Sequence, residues 1–311
     1  MLSDVSGLLA CPVCGRGLAL APGPSSSALR PSSALRCGNG HSFDIARQGY
    51  VNLMPGGARP GTADTAEMVW ARQAFLAAGH YAPLADAVAA LAAAAVPPVS
   101  GPPVPGPAAS GSAAPRRCVL DAGSGPGYYL AAVLDRLRAL PGYGEVAGLA
   151  LDNSVPALRW AARAHPAAGA VGWDVWTPFP VRDGVASVVL NVFAPRNGPQ
   201  FRRVLRDDGA LIVVTPGPGH LAELVRDAGL LSVDERKDER LSAALGAHFS
   251  LAAQQERAIA LRLTRTEAGT LAGMGPSARH AGPDETRARL AAAAEPVSVT
   301  AAFRISLYRP R

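Results

Sequence analysis

Three of the chain's four cysteines fall into a pattern that chemistry can use. Cys11-Pro12-Val13-Cys14 is one pair with two residues between, and Cys37-Gly38-Asn39-Gly40-His41 adds a third thiol and an imidazole. A Cys-x-x-Cys turn aims both thiolates at one point, and Gly38 and Gly40 let the second turn close as tightly. Three soft thiolates and one imidazole complete a tetrahedron, the closed geometry of structural zinc. One zinc per chain is therefore expected on Cys11, Cys14, Cys37 and His41, holding structure and doing no chemistry. A lone Cys-x-x-Cys would read equally well as a redox pair; the second cluster, set among arginines, argues for metal. A segment this poor in large apolar residues also needs a staple to fold. Cys118 lies in an apolar run and is expected to be a small core residue.

A second constellation begins at Cys118. The run Cys118-Val119-Leu120-Asp121 leads into Ala122-Gly123-Ser124-Gly125-Pro126-Gly127-Tyr128. An apolar strand, a glycine-rich turn and a helix in that order let the backbone pass close to a ligand at the strand's carboxyl end. Glycines alone are weak evidence, because many strand–helix turns contain them. Three details separate this loop from a nicotinamide site. The spacing is Gly-x-Gly-x-Gly, and Tyr128 stands where the dinucleotide fingerprint has its last small residue. Asp121 precedes the glycines, where it can hold the cationic amino end of S-adenosylmethionine. Asp152 closes the next apolar run, where it can accept from both ribose hydroxyls or, more plainly, cap the helix that follows. Together they point to a methyltransferase.

These residues need a framework to position them. Strands are expected at 118–121, 146–152, 185–191 and 210–215, with helices at 128–140, 155–164, 199–205 and 220–229. Such alternation gives βαβ units and a parallel sheet. Alternating apolar runs at 258–264 and 297–308 suit an antiparallel pair at the sheet edge, as methyltransferase sheets have. The fold class is thus α/β, a class I (Rossmann-like) seven-stranded methyltransferase sheet with an N-terminal zinc-ribbon-like module. Residues 1–60 read as the zinc module, 61–95 as a helical connector, 96–117 as a Pro/Gly/Ala-rich linker and 118–311 as the methyltransferase domain. In the connector, Asp64 and Glu67 have capping-box spacing, and Pro83 opens a second helix. Residues 21–34, rich in Ser, Pro and Ala, read as a surface insertion.

Composition narrows the setting. About half the residues are apolar (49%) and 17% are charged, so the chain can bury a full core. No run of 18 apolar residues suggests a membrane span. No basic region precedes the first apolar run, so a signal peptide is not expected, and metal-type cysteine spacing favours the reducing cytoplasm. The net charge is +6, and residues 1–60 carry five arginines (Arg16, Arg30, Arg36, Arg47, Arg59) against Asp4 and Asp44. Half of the surplus thus sits in the metal module, which suits an anionic partner.

The motifs taken together resemble the RlmA/TlrB family of ribosomal RNA guanine-N1 methyltransferases. The likeness runs through CPVC and CGNGH, HSFDIARQGYVNL, ARQAFLAAGHYAPL, LDAGSGPGYYLAAVL, LNVFAPRN and VVTPGPGHLAEL; GHYAPL and TPGPGHL are specific to the family. The insertion at 21–34 and the linker are longer than usual for it. The resemblance implies that the zinc module helps recognise RNA, that Tyr81 and His220 join the glycine loop around S-adenosylmethionine, and that a homodimer acts on a hairpin loop of 23S ribosomal RNA. It also implies a link to tylosin-type macrolide resistance. Tyr81 read alone is a packing aromatic, and His220 a residue near a helix start. Asn191, ending the fourth strand, either positions the target base or shapes the turn.

Transfer from a sulfonium is an in-line displacement that needs mainly alignment. Guanine N1 carries a proton that must leave, and no residue stands out in the sequence as its acceptor. A small-molecule methyltransferase and an inactive RNA-binding zinc protein are the rival readings; the basic module weighs against the first and the intact Asp121–Gly127 loop against the second.

Overall fold

The computed structural model describes residues 2–22, 33–56, 63–96, 98, 117–228, 245–275, 288–292 and 294–311. Most of the expected linker at 96–117 and the centre of the 21–34 insertion lie outside them.

The chain opens with a single turn, α1 (Leu2–Val5), and three short strands, β1 (Leu18–Pro22), β2 (Ser33–Cys37) and β3 (Ser42–Asp44). These form an antiparallel sheet in which Ala21 pairs with Ala34 and Pro22 with Ser33. The ends of the expected insertion are therefore strand, contrary to the loop reading. A fourth strand, β4 (Tyr50–Asn52), leaves this small sheet and joins the large one.

Two helices follow, α2 (Ala66–Ala77) and α3 (Ala82–Ala95). Thr65 caps α2, its side chain accepting from the Met68 amide, while Asp64 turns away to pair with Arg72. The expected cap at Asp64 is thus displaced by one residue, and the Asp64 carboxylate is held by the Arg72 guanidinium instead. Among the described residues no single helix is long and apolar enough to cross a membrane; α2 and α3 pass such a test only as a pair bent by 83°.

The remaining elements alternate: β5 (Arg117–Ala122), α4 (Tyr128–Ala139), β6 (Val146–Asp152), α5 (Val155–Ala164), β7 (Ala168–Gly172), β8 (Ala186–Val192), α6 (Gly198–Val204), β9 (Leu205–Pro216), α7 (Ala222–Ala228), β10 (Phe249–Leu263), α8 (Arg265–Gly273) and β11 (Val297–Pro310). The sheet order is β10-β11-β9-β8-β5-β6-β7-β4. Strands β4 to β9 pair in parallel, and β10 and β11 are the antiparallel pair at the far edge. This is the class I methyltransferase sheet with an eighth strand added by the zinc module.

Period-two burial on the strands splits the core into two layers. On β5, Val119 faces the layer built on α3, α4 and α5, with Tyr81, Leu130 and Leu158. Cys118, Leu120 and Ala122 face the other, where Leu2, Leu9, Cys11, Leu35 and Cys37 lie with Phe201 and Phe249. The zinc module thus occupies one face of the sandwich, and its metal cysteines share the sheet's own core. Backbone bonds from Ala10 to Pro180 (2.9 Å) and from Arg182 to Leu8 (2.9 Å) fix it there. Cys118 is a core residue, 1% exposed, its thiol pushed up to about 12 by burial.

Candidate functional site

Cys11 and Cys14 sit on one tight turn, Cys37 at the end of β2, and His41 after a turn in which Gly40 takes φ +83°. One donor atom from each of the four residues lies within 4.8 Å of all the others. Sγ of Cys14 and Cys37 are 3.7 Å apart, and His41 Nδ1 is 3.6 Å from Cys11 Sγ and 3.3 Å from Cys37 Sγ. Zinc–sulfur bonds of about 2.3 Å at tetrahedral angles require sulfur–sulfur edges of roughly 3.8 Å, so the cluster fits zinc. All four positions are protein donors, leaving none for a substrate.

The glycine loop is held from the neighbouring strand. The Gly123 and Ser124 amides donate to the Leu151 carbonyl at 2.8 and 3.0 Å, and the Gly125 amide donates to Asp152 Oδ2 at 2.8 Å. Gly123, Gly125 and Gly127 all take positive φ, +82°, +53° and +83°, a region that L side chains avoid. A Cβ on Gly123 would come within 2.4 Å of the Ala194 Cβ, and one on Gly127 within 2.9 Å of the Ala164 Cβ. Gly127 then starts α4, with Tyr128 half-buried on its first turn. Gly125 meets only Arg72, whose Nη1 would lie 3.5 Å from such a Cβ.

Asp121 is 1% exposed, and neither carboxylate oxygen has a hydrogen-bond partner among the described residues. Burial, with the nearby Asp152 carboxylate second, pushes its carboxyl up to about 8. Two buried acceptors without donors leave a large desolvation cost uncompensated. The ammonium of S-adenosylmethionine is a donor-rich cation of the kind that site lacks. Asp152 is differently placed: Oδ1 accepts from the Ser154 amide (2.8 Å) while Oδ2 holds Gly125. Burial still raises its carboxyl above the ordinary range. The helix cap of α5 is Ser154, whose hydroxyl accepts from Ala157, so Asp152 is not that cap.

Tyr81 and His220 belong to one aromatic group. Tyr81 is 1% exposed, packed edge-on between Phe75 and Phe303 at 5.1 and 5.0 Å, and its hydroxyl has no partner among the described residues. His220 lies 5.1 Å from Phe303 and 6.4 Å from Phe193, centroid to centroid. Its Nδ1 is 2.6 Å from the Ala302 carbonyl, so the side chain ties to β11 and does not cap α7, which begins at Ala222. Asn191 is fully buried; its Nδ2 donates to the Ala122 and Pro195 carbonyls at 3.1 and 2.8 Å. Its amide nitrogen therefore shapes the turn after β8.

Two residues at this site escape a reading of the sequence. Arg72 pairs with Asp64, donates to the Met274 carbonyl (2.8 Å) and overhangs the glycine loop. Phe193 projects from the turn after β8. Both stand inside recognisable motifs, ARQAF and LNVFAPRN, but nothing in residue type marks them.

A family model for the RlmA N-terminal zinc ribbon matches residues 9–59. A protein of Micromonospora griseorubida, provisionally named a 23S rRNA (guanine-N1-)-methyltransferase, is 54% identical over 310 residues, covering all of both chains. The 23S rRNA (guanine(748)-N1)-methyltransferase of Streptomyces fradiae is 44% identical over 313 residues, covering 100% of this chain and 99% of its own. A solved S-adenosylmethionine-dependent methyltransferase of Thiobacillus denitrificans overlaps 63% of this chain and 85% of its own at 16% identity and a TM-score of 0.39. Full-length identity at this level, on a chain with the zinc cluster and glycine loop in place, puts the protein in the family of 23S rRNA (guanine-N1-)-methyltransferases.

Proposed function

We propose that the chain transfers the methyl group of S-adenosylmethionine to N1 of a guanine in a hairpin loop of 23S ribosomal RNA. The observation that carries this is the full-length match to a relative named for N1 methylation of guanine 748, which makes the corresponding guanine the first candidate target. From the resemblance of its motifs to that family we further infer a link to tylosin-type macrolide resistance, action in the cytoplasm and a homodimeric enzyme.

When bound, S-adenosylmethionine supplies an electrophilic methyl group on a sulfonium. The residues proposed to hold it are Asp121 toward the amino end, Gly123, Gly125, Gly127 and Tyr128 along the loop, and Asp152 toward the ribose. Asp121 and Asp152 lie at the carboxyl ends of adjacent strands, β5 and β6, beside the point where strand order reverses and open sheets bind ligands. Tyr81 and His220, which share Phe303 as a neighbour, are the residues proposed to complete the cofactor's surroundings. Residues 1–60 act as the RNA-recognition module, stapled by zinc, and 118–311 as the catalytic domain; Arg16, Arg36 and Arg47 are all exposed on the former.

The test is mass mapping of ribosomal RNA from cells with and without the gene. The expected result is one 1-methylguanine present only with it. Identical maps would remove the RNA substrate and favour a small-molecule one.

A further inference from the structure

We propose that Phe193 and His220 form the subsite for the target guanine, Phe193 as the face on which the base stacks and His220 Nε2 as the acceptor of the N1 proton. The assignment rests on the function proposed above.

Phe193 follows the last residue of β8, and His220 lies beyond the end of β9. They stand on the opposite side of the strand-order reversal from Asp152, so a ligand spanning the crevice meets both sets. Phe193 is 43% exposed, unlike the buried aromatics around it, and takes φ +53°, a left-handed conformation that a bulky residue adopts only when its surroundings impose it. The surroundings are clear. Asn191 bonds to the Pro195 carbonyl across the turn (2.8 Å), and the Phe193 amide donates to the Val214 carbonyl (3.1 Å). Tyr129, Phe303 and His220 flank the ring at 6.4, 5.8 and 6.4 Å. An aromatic held open in this way offers what an unstacked base needs.

His220 is arranged as a base. A carbonyl oxygen can only accept, so the 2.6 Å contact with Ala302 puts the proton on Nδ1. Nε2 then carries the lone pair, and no hydrogen bond to it is present among the described residues. Burial lowers the imidazole's pKa, against the opposing pull of the Ala302 carbonyl, so the ring is neutral at pH 7. The step balances: the N1–H proton passes to Nε2, the N1 electron pair forms the new N–C bond, and the C–S bonding pair stays on sulfur, turning sulfonium into thioether. The imidazolium afterwards returns its proton to water.

Other titratable groups near the subsite are Tyr129 behind Phe193, Tyr81 behind Phe303, Glu223 on α7 bonded to Thr300, and Asp121 beyond Tyr129; Arg304 on β11 is paired with Glu256. Burial raises both tyrosines above their ordinary value, so neither titrates near neutrality. Asp121 does, but at the cofactor's amino end, where it affects kcat/KM and not kcat at saturation.

The test uses the full chain, S-adenosylmethionine and a hairpin transcript, with 2-aminopurine replacing the target guanine in the binding arm. His220→Asn keeps a donor for Ala302 and, at saturating S-adenosylmethionine, should lower kcat roughly 10²- to 10⁴-fold with RNA Kd unchanged. The wild-type kcat should rise with pH through one ionisation below the ordinary histidine value of about 6.5 and then level, and His220→Asn should lose that limb. Imidazole should restore His220→Ala. Phe193→Ala should weaken capture of the base roughly 10- to 100-fold and abolish the 2-aminopurine quench, and Phe193→Tyr should keep both. His220→Asn within threefold of wild-type kcat, or a wild-type kcat without that ionisation, would overturn the base. An unchanged quench in Phe193→Ala would overturn the platform. A wild-type enzyme that forms no 1-methylguanine would overturn the proposed function and this subsite with it.

Discussion

The carboxylate of Asp152 accepts the Gly125 amide at 2.8 Å, so the acid that closes β6 grips the loop that leaves β5. A residue read as a ligand contact is also part of the scaffold that shapes the ligand's cradle. Both of its oxygens are already engaged by backbone amides, at Gly125 and Ser154, and each keeps a second lone pair for a ligand.

Asp152→Ala should therefore do more than remove a ribose contact. Two buried amides lose their acceptor, at about 1–3 kcal/mol each. Calorimetry should show no S-adenosylmethionine binding, and thermal melting should show a lower midpoint without ligand. A variant that loses affinity at unchanged stability would mean that the bonds to the loop contribute little.

The pH dependence follows from Asp121. Its carboxyl is raised by burial to about 8 in the ligand-free fold, well above the unfolded value near 4. A raised acid favours folding fully below the unfolded pKa and loses that contribution as pH climbs toward 8, so the ligand-free protein should lose stability between about pH 4 and 8. Binding a cation there requires the ionised form. Affinity for S-adenosylmethionine should rise up to about pH 8, with a proton released at pH 7, and calorimetry in buffers of different ionisation enthalpy measures that proton. Zero proton release, or affinity flat with pH, contradicts it.

Much of the fold and site is legible in the sequence, for physical reasons. Strongly apolar β6 has the bounds its apolar run predicts, and spacing alone picks out the zinc ligands. β7 escapes because Ala168–Gly172 contains only Ala, Gly and Val; Gly169 and Gly172 carry no strand signal, yet a Cβ on either would strike Val5 at 2.4 Å or Asn52 at 2.6 Å. The zinc module packs against that strand so closely that only glycine fits. β4 is three residues long, too short for any periodicity. At the site, Asp121 and the glycines are readable from motif chemistry. Phe193 is not, since its role depends on a backbone angle and on neighbours far away in sequence.

The shared core predicts how the effect of removing the metal propagates. Cys11 and Cys37 belong to the same continuous buried cluster as Leu149, Phe201 and Phe249, and β4 pairs with β7. Chelation, or Cys14→Ser, should remove one zinc per chain and lower a single melting transition by about 5–10 °C, since each kcal/mol is worth a few degrees at this size. Elemental analysis and calorimetry check both. A separate low transition with the main one unmoved would show the module to be an independent bead, and bound iron would contradict the zinc assignment.

The exposed arginines of the module give a salt signature. Arg16 lies against the second metal turn, its Nη1 3.7 Å from a Cβ placed on Gly38, so the metal fixes where its charge is displayed. Replacing Arg16, Arg36 and Arg47 by Ala should weaken RNA binding and flatten the dependence of log K on log salt, by up to about 0.9 for each phosphate no longer neutralised. Affinity for S-adenosylmethionine should not change. An unaltered salt slope would make these arginines a solvated face.

The most direct measurement is methylation by the purified zinc-loaded protein of a 23S ribosomal RNA hairpin transcript containing the guanine that corresponds to position 748, with labelled S-adenosylmethionine and the modified position read by primer extension. Methylation at N1 blocks pairing, so one stop should appear at that guanine, absent without S-adenosylmethionine and abolished when the guanine is replaced by adenine. Transfer to no 23S fragment, naked or in ribosomal particles, by protein that binds S-adenosylmethionine would contradict it.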